Sequence, residues 1–343
     1  MTVPDDCPTI QAALDAAANS GIAGTISVAP GTYRENIDFK GASVVLKGAK
    51  GPEKTTIDGS DAEASTVTFA TGEGSGAVLE GFRISGGSGN PDENDSTRGG
   101  GIYIKEASPI LRNLVVADNA ISNDSGYGGG IHMSRSGAEL EQVTVLDNRA
   151  TYYGGGIHLS QSPNAELQNV EVIGNRATYG GGIALAYDGQ THRNLLVLDN
   201  EANFGAGLLI QSADPIVENA TFHDNAGDAI HLLSGANPEL ANVTITGSTG
   251  RALNAEKGDA DFFFCNVWGN DKGAVIGDDP PATGEGNLSQ DPMYADPSGR
   301  RPENWDMTLA DGSPLIDAGD PELEDPDGSR SDIGAYGGPG GGW

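Results

Sequence analysis

The side chains of this chain that can do chemistry recur at nearly equal spacing. His132 and His158 each follow an Ile that comes directly after a run of three glycines. Two neighbouring imidazoles can act as base, acid or metal ligand. The position before the glycine run is aromatic in four successive copies: Tyr127, Tyr153, Tyr179 and Phe204. Rings stacked about 5 Å apart would form a flat strip that suits the apolar faces of sugars. The structural alternative is that the rings only cover the glycines.

A third row of candidates is basic. Arg149 and Arg176 follow equivalent asparagines, and Glu201 holds the next place in the row. Like charges stacked this closely are unfavourable unless an anion or Glu201 compensates them. The arginines could therefore neutralise a uronate carboxylate before a base abstracts a proton. The alternative is a surface group of two arginines and one glutamate.

The glycine runs define a sequence repeat. Gly-Gly-Gly-Ile occurs four times and two worn copies follow, so the closing apolar residues are 102, 131, 157, 183, 208 and 230. The steps between them are 29, 26, 26, 25 and 22 residues. A repeat of this length is typical of stacked similar units and not of a conventional globular domain.

Each repeat contains two short segments of alternating apolar residues, such as 131–133 and 143–145, and no helical periodicity. This pattern predicts an all-β, single-stranded parallel β-helix, because a propeller blade needs about 40 residues and leucine-rich repeats have another consensus. Ile, Val and Leu should stack inside the coil, with His132 and His158 pointing outward. We expect the glycines at 128–130 and 154–156 to adopt positive φ. We also expect amide ladders between coils at the repeated asparagines: Asn119, Asn148, Asn175, Asn200 and Asn225.

Two acidic groups are candidate cation ligands. The repeated asparagines follow an aspartate row, which either holds Ca²⁺ or is a solvated face: Asp118, Asp147, Asp199 and Asp224, interrupted by Gly174. Near the C-terminus, Asp325, Asp327 and Asp332 surround an Asp-x-Asp-Gly sequence that resembles the start of a calcium loop, although the full EF-hand pattern is absent. Ca²⁺ is the one cofactor that we consider. The histidine pair lacks a third ligand for zinc.

The chain divides into three regions. Apolar residues at 10, 13, 14, 17 and 18 predict an amphipathic helix with Thr9 as its N-cap. We expect residues 1–24 to cap the first coil, residues 25–276 to form the β-helix, and residues 277–343 to form an irregular cap that packs on the last coils. Because both ends are then closed, we expect a monomer.

Composition limits the partners of the chain. The 343 residues carry a formal net charge of −30, which argues against nucleic acid because phosphate binding needs an excess of Lys and Arg. No segment could span a bilayer. Cys7 and Cys265 lie many coils apart, so we expect them not to pair. Residues 1–5 do not resemble a signal sequence, so we expect either an intracellular protein or a signal that has been removed.

Two parts of the chain resemble known proteins. Residues 10–17 (IQAALDAA), 26–37 (ISVAPGTYRENI) and 46–59 look like the opening of pectate-lyase-like and pectin-esterase-like right-handed β-helix proteins. The segments 313–320 (SPLIDAGD) and 325–337 are similar to the C-terminal part of secreted bacterial β-helix proteins, which is often followed by a surface anchor. The resemblance implies a right-handed coil and export to the cell surface or beyond. It implies no single activity, because this superfamily includes lyases, hydrolases, esterases, epimerases and proteins without known chemistry.

Two functions fit these observations. The inserts between coils are small, chiefly 87–97 and 123–126, whereas enzymes of this architecture usually build a cleft from long loops. We therefore predict an exported protein without catalysis, which either binds a polysaccharide or cell-surface glycan through the aromatic row or forms part of a cell-surface structure. The alternative is a lyase or hydrolase acting on a glycan that contains uronic acid. Its candidate catalytic residues are His132, His158, Tyr153, Arg149 and Arg176, with Tyr127 as a second possible proton donor.

Overall fold

A computed structural model describes residues 1–21, 23–92, 94–255, 257–276, 284–299 and 301–343. The chain forms two compact units, Met1–Glu166 and Leu167–Trp343. Within each unit, parallel strands of successive coils pair side by side in matching register. The architecture is therefore the predicted all-β parallel β-helix. The predicted start of the C-terminal cap, residue 277, lies outside the described residues.

The first unit contains two parallel sheets, which we call the long-strand sheet and the short-strand sheet. The long-strand sheet is split into pairs of shorter strands in the early coils and becomes continuous later. Its strands are Thr2–Val3, Gly24–Val28, Gly31–Arg34, Val44–Gly48, Thr55–Asp58, Val78–Glu80, Arg83–Ser85, Ile110–Ala117 and Glu139–Leu146. The short-strand sheet contains Ile37–Asp38, Val67–Phe69, Ile102–Lys105, Ile131–Ser134 and Ile157–Ser160.

The core of the first unit consists of apolar columns. Ile131 pairs with Ile102 on one side and Ile157 on the other, and all three side chains are fully buried. On the facing sheet, Leu114 pairs with Val143 in the same way. One coil alone could not cover these side chains, so each repeat depends on its neighbours for burial. The vertical alignment on which the surface rows depend is thus confirmed in this unit.

The predicted N-terminal helix spans Ile10–Ser20. The Thr9 hydroxyl accepts a hydrogen bond from the Ala12 amide, as expected of an N-cap. The carboxylate of Glu35 caps the same end by accepting bonds from the amides of Ile10 and Gln11, both at 2.9 Å. An anion is favourable there because the helix dipole is positive at its N-terminus.

The glycines of a triplet have different roles, which corrects the expectation of positive φ throughout. Only the first has it: φ is 69° at Gly128 and 63° at Gly154. At the second glycine the neighbouring coil leaves no room for a side chain. A Cβ on Gly129 would lie under 3.0 Å from the carbonyl carbon and oxygen of Arg149 and from the Gly155 oxygen. The second glycine is therefore required by the close approach of two backbones.

The aspartate row is explained by backbone conformation. Asp118 and Asp147 have φ values of 58° and 52°, and Gly174, which interrupts the row, has 67°. Asp, Asn and Gly tolerate this left-handed region better than other residues. A second left-handed row, which the sequence did not reveal, lies within the long strands: Asn113, Gln142, Asn169, Asn194, Asn219 and Asn242.

The second unit repeats the two-sheet arrangement. Its long strands are Glu166–Ile173, which begins at the last residue of the first unit, Thr191–Leu198, Ile216–His223, Glu239–Thr246, Asp261–Phe263 and Asn266–Trp268. Its short strands are Ile183–Ala186, Leu208–Gln211, Ile230–Leu233, Leu253–Asn254 and Val275–Ile276. The C-terminal segment adds an antiparallel pair, Tyr294–Asp296 with Asp306–Leu309, and a 3₁₀ turn at Pro302–Asn304.

The C-terminal segment lies against the left-handed asparagine row of the second unit. Asn194 donates from Nδ2 to the carbonyl oxygens of Ala335 and Gly337, both at 3.0 Å. The Asn242 side-chain oxygen accepts a bond from the Asp320 amide at 2.7 Å. Asn194 and Asn242 therefore adopt positive φ within their strands and also form hydrogen bonds with the C-terminal segment.

Both cysteines are free, as expected: Cys7 is half-buried and Cys265 is buried. Burial raises the pKa of the Cys265 thiol to about 12, so it stays protonated at neutral pH. In the part of the chain that the structure describes, none of the helices has the length and apolar character needed to cross a membrane.

The glycine contacts predict a large stability loss for Gly129→Ala. The added methyl group meets backbone atoms that cannot rotate away. We therefore expect the free energy of unfolding to fall by about 2–3 kcal/mol or more, with a clear drop in Tm. Thermal unfolding followed by circular dichroism measures it. Gly74→Ala is the matched control, because Gly74 lacks positive φ and has open space at its Cβ position. Equal melting of the two variants would contradict the close-approach explanation.

Candidate functional site

Three tyrosines form a cluster on the first unit. The rings of Tyr127 and Tyr153 stack in parallel, with centroids 5.8 Å apart and an interplanar angle of 4°. Tyr152 stands edge-on to both, at 5.6 Å from Tyr127 and 4.7 Å from Tyr153. Tyr152 is 37% exposed, whereas its two neighbours are half-buried. We call these three residues the tyrosine cluster.

His158 lies beneath the stacked tyrosines, and His132 lies beside it. His132 and His158 are direct strand neighbours, and their rings are 5.0 Å apart. The His158 ring also contacts Tyr127 and Tyr153, at 5.4 and 5.7 Å. The expected outward exposure is wrong: His132 is 0% and His158 4% exposed. Tyr127 and Tyr153 cover His158, and the ring of Tyr103 stacks on His132 at 5.9 Å.

A salt bridge from the first insert closes one side of this arrangement. Arg98 Nε donates to Asp92 Oδ2 at 2.7 Å, and both side chains are largely buried. The guanidinium carbon lies 4.8 Å from the centre of the Tyr127 ring, a cation–π distance. The arginine is placed there because strand Thr97–Arg98 pairs with strand Asn90–Pro91 on one side and strand Gly126–Tyr127 on the other.

The hydrogen bonds define the tautomers of the two histidines. Arg98 Nη1 lies 3.5 Å from His132 Nε2, and a guanidinium can only donate, so this nitrogen is the acceptor. The His132 proton is then on Nδ1, which donates to His158 Nδ1 at 3.0 Å. His158 must therefore carry its own proton on Nε2. The two neutral imidazoles therefore form a chain of hydrogen bonds, in which Arg98 donates to His132 and His132 donates to His158.

Both imidazoles are held in the neutral form. Burial lowers the pKa of His158 to about 3, with a further contribution from the Arg98 charge. Burial also lowers the pKa of His132 well below its ordinary value, and His158 and Arg98 add to the effect. Neutral imidazoles with such low pKa values are weak bases at physiological pH. They are better suited to supporting the tyrosine rings than to abstracting a proton.

The predicted arginines are placed differently from the histidines. The Arg149 side chain is exposed, and its backbone amide bonds to the Asn119 oxygen. In the second unit, Arg176 Nη2 pairs with Glu201 at 2.7 Å, with both side chains about half exposed. Of the alternative group of two arginines and one glutamate, the structure thus pairs Arg176 with Glu201. The arginine beside the histidines is Arg98 instead.

The remaining aromatic candidates lie in the second unit. Tyr179 and Phe204 stack with centroids 4.8 Å apart and an interplanar angle of 9°. Phe204 is 37% exposed, and its ring meets the His231 ring edge-on at 5.4 Å. Each unit therefore presents a stacked aromatic pair next to a buried histidine.

The acidic candidates near the C-terminus mainly bind backbone amides. Asp325 accepts bonds from the amides of Gly338 and Asp332, and Asp332 accepts one from Asp317. Burial raises the pKa of Asp332 to about 6, and the neighbouring Asp325 and Asp317 charges add to this effect. The exposed Asp327 binds Ser329. Within the described ranges, no group of three His, Cys, Asp or Glu side chains is placed to hold a metal ion.

Sequence reasoning missed three residues of the site: Arg98, its partner Asp92 and the exposed Tyr152. The insert at 87–97 marked the region, but a sequence repeat contains no information on where an insert folds. The signal for Tyr152 was present, because Tyr152 and Tyr153 are adjacent in the sequence. Only the second tyrosine fits the periodic row, which is why the first was overlooked.

Sequence comparison assigns the chain to a family. The sequence model described as "Right handed beta helix region" matches residues 35–177 and 155–287. The chain belongs to the right-handed β-helix family. The handedness expected from the resemblance is thereby confirmed for this right-handed β-helix protein. No significant match to a curated protein was found.

Solved structures give distant similarities. The chain is similar to the A-module of mannuronan C-5 epimerase AlgE4 from Azotobacter vinelandii, at 16% identity and a TM-score of 0.37, over 78% of this chain and 91% of that one. It is also similar to the catalytic unit of a GH87 α-1,3-glucanase from Streptomyces thermodiastaticus, at 16% identity and a TM-score of 0.34, over 88% and 67%. A pectin methylesterase in complex with a hexasaccharide matches at 10% identity and 0.25, over 88% and 95%. At this distance the likeness concerns the fold alone.

The buried histidines predict a loss of stability in mild acid. Unfolded His158 takes up a proton near pH 6.5, whereas folded His158 does so only near pH 3, so stability falls as pH drops below 6.5. At pH 5 the contribution of His158 is roughly 2 kcal/mol smaller than at pH 7. Urea unfolding at pH 7, 6 and 5 measures the slope. In His158→Gln the free energy of unfolding should depend less steeply on pH than in the wild type. The same pH dependence in both proteins would refute the role assigned to His158.

Proposed function

We propose that this protein is an exported β-helix protein that binds a polysaccharide through the tyrosine cluster, without catalysis. The observation that carries the proposal is the parallel pair of Tyr127 and Tyr153 with the exposed Tyr152 edge-on beside it. A sugar ring has apolar C–H faces and a polar rim, so it gains from an aromatic platform that is bordered by hydrogen-bonding groups.

The charged pair of Arg98 and Asp92 supplies such a border, because the Arg98 guanidinium carbon lies 4.8 Å from the centre of the Tyr127 ring. The strand that carries Arg98 also carries Thr97, and alternation directs Thr97 to the opposite side. There Thr97 and Asn123 line a cavity of about 330 Å³ together with Pro91 and Ile121. A cavity of this size lies within the range of small-molecule sites. This cavity therefore lies on the other side of the strand from Arg98, and its described lining includes none of the three tyrosines.

Two further features support the non-catalytic and exported character that we propose. The imidazoles beneath the rings are buried and neutral, and the Arg98 charge is already paired with Asp92. The resemblance of residues 313–320 and 325–337 to secreted β-helix proteins favours a location outside the cell or at its surface. Fractionation of source cells with an antibody against the chain tests the location.

The proposal predicts that Tyr152→Ala weakens saccharide binding. Tyr152 has the most exposed ring of the cluster, and we expect its loss to raise Kd about fivefold or more, which corresponds to about 1 kcal/mol. Isothermal titration calorimetry with hexasaccharides of glucose, xylose, mannose and galacturonic acid measures the effect. Trp268→Ala removes another exposed aromatic side chain and serves as the control. Equal affinity of both variants and the wild type would contradict the proposal.

A second candidate is a polysaccharide lyase or hydrolase, and one observation favours it. Two histidines and two tyrosines converge at one place on the first unit. Incubation with uronic-acid polysaccharides, with and without Ca²⁺, tests this candidate through the ultraviolet absorbance of unsaturated products and a reducing-sugar assay for hydrolysis. We expect no product. Product formation that His158→Gln abolishes would overturn the non-catalytic proposal.

A further inference from the structure

The second unit contains a buried histidine nitrogen without a hydrogen-bond partner. His231 is 7% exposed, and its Nδ1 atom has no partner within hydrogen-bonding distance. The nearest charged group is Asp228, whose Oδ2 lies 3.8 Å from Nδ1, too far for a hydrogen bond. A buried ring nitrogen that lacks a partner is costly, so its presence calls for an explanation.

Asp228 is held firmly in its position. Its Oδ1 accepts a bond from the Arg251 amide at 2.8 Å, and its Oδ2 accepts one from Asn254 Nδ2 at 3.0 Å. Burial alone would raise the pKa of Asp228, but His231, these two donors and the Arg251 charge outweigh it and lower the pKa well below its ordinary value. The carboxylate is therefore ionised throughout the physiological range.

The fixed carboxylate selects the tautomer of His231. With the proton on Nε2, the Nδ1 lone pair would face a negative charge at 3.8 Å in a buried setting, which is repulsive. With the proton on Nδ1, the N–H dipole points toward the charge and the contact is attractive. The Nδ1–H form is thus preferred, and Nε2 is left with a free lone pair.

The position of the His231 ring shows what this lone pair can meet. His231 pairs with Leu209 and Asn254 along the short-strand sheet, on the side of the coil that faces outward. The ring lies edge-on to Phe204, which stacks on Tyr179. Of the two ring nitrogens, only Nδ1 is both buried and unbonded. Nε2 is not fully buried without a partner, so it is the ring nitrogen that a ligand beside the aromatic platform can reach.

We propose that Asp228, His231 and Phe204 form a second saccharide-binding site, in which Asp228 orients His231 so that Nε2 accepts a hydrogen bond from a sugar hydroxyl stacked on Phe204. The choice of ligand rests on the proposed function, since it extends carbohydrate binding to the second unit. The tautomer does not depend on it. Asp228 acts here as a positioning residue and His231 as the contact residue.

The first part of the test needs no ligand. Nitrogen-15 spectra of histidine-labelled full-length protein at pH 8 distinguish protonated from unprotonated ring nitrogens, and the signals absent from His231→Gln identify His231. We expect Nδ1 to be protonated and Nε2 unprotonated. In Asp228→Asn we expect both tautomers of His231 to be populated, because the carboxylate charge that favours the Nδ1–H form is absent. An Nε2–H tautomer in the wild type would overturn the proposal.

The second part uses the same hexasaccharides of glucose, xylose, mannose and galacturonic acid. We expect the His231 Nε2 signal to shift with at least one of them. We expect the Kd of His231→Phe at this site to be fivefold or more above that of the wild type. The Kd of His231→Gln should stay close to the wild-type value, because its amide oxygen still accepts a hydrogen bond. Absence of any shift overturns the site even if both variants fail to fold, because the wild type alone is measured.

The two proposals can fail separately. If Tyr152→Ala abolishes all binding and the His231 signal does not move, the tyrosine cluster is the binding site and the second site is refuted. If the His231 signal shifts while Tyr152→Ala binds normally, the second site stands and the proposed role of the tyrosine cluster is refuted.

Discussion

The constraint on which this structure depends is the direct contact between the backbones of successive coils. Parallel strands lie about 4.8 Å apart, so every residue sits beside its counterpart in the neighbouring coil. At the glycine triplets this contact is so close that a Cβ on Gly129 would overlap the Arg149 carbonyl. The same alignment joins Asn119 to Asn148 through their amides at 2.9 Å, and Asn175 to Asn200 at 3.1 Å. Both the repeat and its composition follow from this spacing.

The candidate site is a consequence of the same alignment. Gly154, the first glycine of its triplet, turns with positive φ, and the ring of Tyr153 before it lies against the ring of His158, two places after the triplet. The Tyr127 ring of the neighbouring coil also contacts His158, while the Tyr103 ring stacks on His132, so tyrosine rings cover both imidazoles. The covering removes the histidines from water, and this loss of hydration keeps them neutral. A surface that looks reactive in the sequence becomes a supported aromatic platform.

Much of the fold could be predicted, because the features that define it are periodic. The apolar column through Ile102, Ile131 and Ile157, the asparagine ladder and the N-terminal helix were each predicted and observed. The left-handed asparagine row within the long strands was not predicted. It also repeats at a regular spacing, but positive φ at a non-glycine residue is rare enough that a sequence rarely suggests it. The aspartate row was predicted to be either a Ca²⁺ site or a solvated face, and the backbone conformation that its positive φ values show was not foreseen.

The site could be predicted only in part. The tyrosine and histidine rows were correct as rows, because vertical neighbours follow from equal spacing. The partner Arg98 was missed because it lies beside an insert, and an insert has no counterpart in other coils to reveal its position. The histidines were expected to be accessible because they point outward, but they are buried. Alternation along a strand shows which way a side chain points and does not show which other side chains cover it.

The sequence by itself determined the parallel β-helix, its repeat and the residues that share a column, because these properties depend on spacing along the chain. Only the tertiary structure decided which of the aligned residues are covered, which charges are already paired and which ring nitrogens stay free. Arg98 against Tyr127 and Asp228 against His231 are contacts between residues 29 and 3 positions apart in the chain. Contacts of this kind depend on how each bend directs a segment across its neighbour, and residue spacing does not encode that direction.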